Sequence, residues 1–192
     1  MKAQYNVLFL CTGNSARSIM AEALLNFRGT KSFKAYSAGS HPSGIVRPEA
    51  LHQLELAHIS VLGLRSKSWD EFASEDAPKM DFVFTVCDNA ANEVCPIWPG
   101  QPMTAHWGVA DPAAVSGSNK QVERAYRDAF TTLDRRISLF LSLPLASIDK
   151  LKIQKELETS VVNEANSADT TCRGVHRDGP VGHSCHRLWN HG

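Results

Sequence analysis

The sequence predicts an α/β protein, a small doubly wound, four-stranded parallel sheet with helices on both faces. Three observations lead there. Short apolar runs of strand length alternate with segments whose apolar residues recur every three or four positions, the mark of strand–helix–strand units. Clusters of Gly, Pro, Asn and Ser separate these segments and suit right-handed crossovers. With 192 residues, 43% of them hydrophobic, the chain has material for one domain with its own core plus a tail.

The elements follow in order. Residues 5–10 form an apolar run that enters a Gly/Ser/Asn turn, which reads as a buried strand. Ile19, Met20, Ala23, Leu24 and Phe27 then recur at helical spacing, and Gly29 is placed to end that helix. Residues 33–38 read as the second strand, closed by Gly39, and 41–46 as a loop carrying Pro42 and Gly44. Pro48 opens a helix that runs to His58. Residues 81–86 are the third strand, 87–103 a breaker-rich loop, and 104–107 a short fourth strand. Asp111-Pro112 opens another loop ending near Asn119. Val122, Ala125, Tyr126, Ala129, Leu133, Ile137, Phe140 and Leu141 then mark the clearest amphipathic helix. A last short helix is expected over 147–157. From about Thr159 periodicity is lost, so the expected division is a domain over 1–158 and an irregular, disordered tail over 159–192.

Composition narrows the function. Twenty basic and 20 acidic side chains cancel, so no field of one sign points to nucleic acid or an anionic membrane. The apolar run at 7–10 is too short for a signal peptide, and nothing approaches the ~20 residues of a membrane span. A cytoplasmic protein is expected. Five widely spaced cysteines do not resemble a secreted disulfide framework.

The chemistry concentrates at Cys11-Thr12-Gly13-Asn14-Ser15-Ala16-Arg17-Ser18, a C-x5-R sequence between a strand and a helix. A thiol facing a helix N-terminus has its thiolate stabilised by backbone N–H groups and the helix dipole, which lowers its pKa. The same N–H groups form a nest for the oxygens of a tetrahedral anion. Gly13 allows close backbone approach, and Arg17 offers a bidentate fork for two oxygens. Ser18 is placed to donate to the Cys11 thiolate, and Asn14 to pin the loop. An ordinary strand–helix turn with a buried cysteine is the plainer alternative.

With these features the chain resembles the low-molecular-weight protein tyrosine phosphatases and the arsenate reductases that share their fold, over about residues 5–157. The resemblance implies that Cys11 is the nucleophile and that Arg17 binds the oxyanion. Asp111 is, on its own residues, a turn aspartate before a proline that holds it extended. The resemblance implies that it is the general acid that protonates the leaving oxygen.

Two further thiols separate phosphatase from reductase. With strands ordered 2-1-3-4, the first and third are neighbours about 4.8 Å apart, so Cys11 and Cys87 share one carboxyl edge. A disulfide between them then needs only modest loop movement. Cys95 follows in the next loop and is placed to carry the disulfide outward. Residues 85–100 and Thr104-Ala105-His106-Trp107-Gly108 resemble the bacterial arsenate reductase branch. Ala113 and Ala114 follow Asp111-Pro112 where the phosphatase branch usually has an aromatic. The expected function is reduction of arsenate to arsenite by Cys11, Cys87 and Cys95, in arsenic detoxification. The alternatives are a low-molecular-weight tyrosine phosphatase and a non-catalytic oxyanion-binding module.

No bound cofactor and no metal site are assigned. The resemblance implies an external reductant, thioredoxin or glutathione with glutaredoxin. Seven residues between Cys87 and Cys95, where thioredoxin-coupled members usually have six, and Ala16 in place of a second loop cysteine leave that choice open. Some members hold a potassium ion with residues corresponding to Asn14, Glu22 and Ser37. In the tail, Cys172, His176, His183, Cys185 and His186 match no trusted zinc spacing.

Overall fold

The structure, a computed structural model, describes residues 4–87, 98 and 102–144. The helix expected over 147–157, the cysteine at 95, the boundary at 158 and the tail lie outside the described residues.

Four parallel strands form one sheet in the order β2-β1-β3-β4, as expected: β1 (Tyr5–Cys11), β2 (Phe33–Gly39), β3 (Phe82–Thr85) and β4 (Met103–His106). β1 is central, with Cys11 opposite Gly39 on one side and Leu10 opposite Thr85 on the other. β4 starts and ends one residue earlier than the sequence suggests. Trp107 leaves the ladder and stacks on Phe84, with ring centroids 4.1 Å apart and planes 12° from parallel. Thr104, Ala105 and His106 are exposed, as fits an edge strand.

Alternation along β1 sends its residues to two cores. Tyr5, Val7 and Phe9 face a large cluster shared by α1 (Arg17–Arg28), α2 (Pro48–Leu56) and α3 (Asn119–Leu141). Leu8 and Leu10 face a smaller cluster with Phe72, Met80, Val83 and Trp98, beneath a 3-10 turn at Trp69–Phe72. Tyr126, Leu133, Ile137 and Phe140 form the buried stripe of α3, and Ser118 with Gln121 closes its start in a reciprocal capping box. Phe27 departs from its expected place, being 55% exposed on the last turn of α1. α2 stops at Leu56, two residues early, and His58 takes φ 56° to turn the chain.

Candidate active site

Cys11 ends β1 and Arg17 begins α1, so the intervening loop lies at the carboxyl edge of the central strand. α1 has no side-chain cap and no acidic residue in its first turn, leaving its leading N–H groups to the loop interior. The carbonyls of the loop are turned outward. Those of Thr12, Gly13 and Ser15 accept from the N–H groups of His41, Ser43 and Arg47 at 2.9, 2.9 and 2.8 Å. Each trans peptide therefore points the next N–H, those of Gly13, Asn14 and Ala16, the other way. Asn14 N–H donates to Cys11 Sγ at 3.1 Å. Such a ring of inward donors suits a tetrahedral anion.

Asn14 is fully buried at φ 41°, a left-handed conformation that Asn tolerates better than most residues. Its side chain ties the loop down on three sides. Nδ2 donates to Ser18 Oγ at 2.8 Å and to Ser37 Oγ at 2.9 Å, and Oδ1 accepts from the Lys67 N–H at 2.8 Å. Gly13 is not the crowded position, since a Cβ there would meet only Ser15 Oγ at 3.6 Å. Gly39 is. A Cβ on it would lie 2.4 Å from Thr12 O and 3.0 Å from Asn14 N, so β2 reaches the loop only because this residue has no side chain.

Ser18 Oγ lies 2.9 Å from Cys11 Sγ. Burial nonetheless dominates the thiol and pushes its pKa up. The hydrogen bonds from Ser18 and Asn14 pull it down, while the neighbouring Cys87 pushes it up further. The net direction reverses the lowering expected from the loop donors alone, because how completely the sulfur leaves solvent is set by the fold and not by the C-x5-R spacing.

Asp111 caps a 3-10 turn at Pro112–Ala114, its Oδ1 accepting from Ala113 N at 3.0 Å. It keeps the extended backbone that Pro112 imposes, φ −75° and ψ 109°. Its Oδ2 lies 2.8 Å from Arg17 Nη2, and Arg17 Nη1 donates to Val109 O at 2.9 Å. The expected acid and the expected oxyanion ligand are thus in direct contact. Cys87 is buried one residue beyond Val86, whose N–H donates to Leu10 O at 2.8 Å, and its Sγ lies 3.7 Å from Thr12 Oγ1. The second thiol therefore sits against the loop of the first. Neither thiol is part of a disulfide.

Several contributors carried no sequence signal. His41, Ser43 and Arg47 act through backbone N–H groups, so any residue but proline would serve. Lys67 looks like a surface lysine, yet its side chain is 7% exposed and its ammonium lies 3.3 Å from Glu22 Oε2. Glu22 also accepts from Ser37 Oγ at 2.5 Å. These residues do not fit a potassium ion. An ammonium already neutralises Glu22, the oxygen of Asn14 is taken by Lys67 N–H, and Asn14 turns its Nδ2 donor toward Ser37.

A buried thiol, an anion nest at a helix N-terminus, an arginine fork and an adjacent carboxylate define a cysteine-dependent enzyme acting on oxyanions. The chain belongs to the low molecular weight phosphotyrosine protein phosphatase family, whose model matches residues 6–156. Curated relatives include arsenate reductases, in line with the resemblance of residues 85–100 and Thr104–Gly108. That of Halalkalibacterium halodurans is 34% identical over 134 residues, 70% of this chain and 93% of the relative. That of Bacillus subtilis is 35% identical over 115 residues, 60% of this chain and 79% of the relative. Among solved structures, an arsenate reductase in the phosphate-binding state aligns with a TM-score of 0.60 at 25% identity, covering 72% of this chain and 98% of that one. A thioredoxin-dependent arsenate reductase from Corynebacterium glutamicum shares the fold at TM-score 0.54 and 24% identity, over 77% of this chain and 63% of that one.

Proposed function

We propose that this chain reduces arsenate to arsenite, with residues 1–158 as the catalytic domain. The observation that carries the reading is a second buried thiol, Cys87, with its sulfur 3.7 Å from Thr12 Oγ1 of the oxyanion loop. A phosphatase has no use for it there. The name of the relatives, arsenate reductase, supports the same choice of substrate.

Arsenate binds in the nest of residues 12–18 and on Arg17. Cys11 Sγ attacks arsenic and an S–As bond forms. The leaving hydroxyl takes up the proton given up by the thiol and departs as water, with Asp111 handing that proton over. Cys87 then attacks Cys11 Sγ. A disulfide forms, the S–As bond breaks, and its electron pair stays on arsenic, which leaves as arsenite. Two thiols have lost two electrons and arsenic has gained them. Cys95 attacks Cys87, restores the Cys11 thiol and holds the new Cys87–Cys95 disulfide for an external dithiol of the thioredoxin type or for glutathione with glutaredoxin.

Single-turnover arsenite release, compared between wild type and Cys87→Ser with phosphate-ester hydrolysis measured alongside, tests this. Release is expected from wild type and lost in Cys87→Ser. Ester hydrolysis that persists in Cys87→Ser without any arsenite release from wild type would make the chain a phosphatase. Anion binding without either activity would make it a binding module.

A further inference from the structure

An unbroken series of hydrogen bonds runs from a part-buried ion pair to Cys11. Lys67 Nζ meets Glu22 Oε2 at 3.3 Å, Ser37 Oγ donates to the same oxygen at 2.5 Å, and Asn14 Nδ2 donates to Ser37 Oγ at 2.9 Å. Asn14 Nδ2 donates again to Ser18 Oγ at 2.8 Å, and Ser18 Oγ meets Cys11 Sγ at 2.9 Å. Counting protons fixes the sense of the bonds once Cys11 is a thiolate. A carboxylate only accepts, so the Ser37 hydroxyl proton goes to Glu22 and its oxygen accepts from Asn14. The Asn14 amide cannot turn over, because Oδ1 receives the Lys67 N–H at 2.8 Å. Both Nδ2 protons are therefore used as donors, one of them to Ser18. Ser18 Oγ thus accepts from Asn14, and against a Cys11 thiolate, which can only accept, its own proton is directed at the sulfur.

We propose that Lys67 is a positioning residue for Cys11: its ammonium holds the Glu22 carboxylate in place, its backbone N–H fixes the Asn14 amide, and together they turn the Ser18 hydroxyl toward the thiolate. Lys67 supplies from the chain itself the positive charge that a bound cation would bring to Glu22, Ser37 and Asn14. Without the ammonium, the part-buried Glu22 carboxylate loses its charge partner and swings away. The Ser37 proton then loses its fixed acceptor and the sense of the series is lost.

The inference rests on Cys11 as nucleophile but not on arsenate as substrate. Its test reads the rate of Cys11 carbamidomethylation by iodoacetamide against pH, followed by mass spectrometry of the Cys11 peptide. Lys67→Met is expected to slow the reaction roughly threefold to tenfold at pH 7 and move its profile to higher pH, since a hydrogen bond to a charged sulfur is weakened. Lys67→Arg is expected to retain most of the wild-type rate. Ser37→Ala, which leaves the ion pair in place, is expected to move the profile the same way, and the double variant to be no slower than the slower single one. A wild-type profile in Lys67→Met or in Ser37→Ala would overturn the proposal, as would losses that simply multiply in the double variant. Should Lys67→Met fail to fold, the Ser37→Ala profile decides alone. Loss of arsenite release with these shifts intact would remove the reductase reading and leave the positioning role standing.

Discussion

Cys11, the proposed nucleophile, has surroundings that pull in opposite directions. Burial raises its pKa, and the Ser18 and Asn14 donors lower it. Removing the larger side-chain donor should therefore raise it further. Ser18→Ala is expected to slow Cys11 alkylation at pH 7 about tenfold and shift the rate profile to higher pH, measured with the same peptide readout. Stability follows with a fixed sign. A folded-state pKa above the unfolded value means that the folded chain holds its proton more tightly. The contribution is whole below the ordinary thiol pKa and is lost as pH rises through the raised folded value. Melting temperature between about pH 7 and 10 should thus fall more steeply in wild type than in Cys11→Ser. Gly39 gives a second prediction at this scale. A Cβ placed 2.4 Å from Thr12 O must push the loop aside, so Gly39→Ala is expected to abolish measurable phosphate binding and destabilise by about 1–3 kcal/mol. Calorimetric titration with phosphate and a thermal melt check both.

At the scale of elements, α3 is tied to the connection after β4 by Arg136. Arg136 Nη1 donates to Gly108 O at 2.9 Å, and the same connection after β4 is stitched to β3 by Trp107 N to Thr85 O and Val109 N to Val86 O, at 2.7 and 3.0 Å. Arg136→Met is expected to lower kcat several-fold with little change in KM or melting temperature, because it loosens the segment that carries Asp111 and leaves the oxyanion loop alone. Steady-state kinetics beside a thermal melt check it. The elements themselves were largely legible. β1, α1 and α3 showed in apolar periodicity, and the C-x5-R spacing located the loop, because these signals reside in side chains. The bracing by 41–47 was not legible, since backbone groups make it and leave no mark on residue choice. Lys67 and Gly39 were missed for a related reason. Their roles depend on which distant segment packs against them, 45 positions away for Glu22 and 27 for Thr12. Phe27 shows the opposite error, a residue in helical register whose turn of α1 runs past the core.

For the whole molecule, residues up to 144 supply apolar cover to the sheet. The two core clusters cover both faces of the sheet, and among the described residues no helix is long and apolar enough to cross a membrane. Deletion of 160–192 is therefore expected to leave single-turnover arsenite release and melting temperature unchanged, and loss of either would give the tail a structural part. The contact between Arg17 and Asp111, 2.8 Å, has a meaning at this scale too. The resting protein carries its own competitor: a carboxylate tethered on the connection after β4 occupies the guanidinium that an incoming anion needs. Apparent affinity is then an exchange constant, set by how well the guest outbids the tethered group and not by the nest alone. Asp111→Asn should accordingly bind inorganic phosphate more tightly than wild type in calorimetric titration while turning over more slowly. With Asp111 as the proposed acid, a guest that evicts the carboxylate also releases it for proton transfer, so occupancy and readiness to react become a single event.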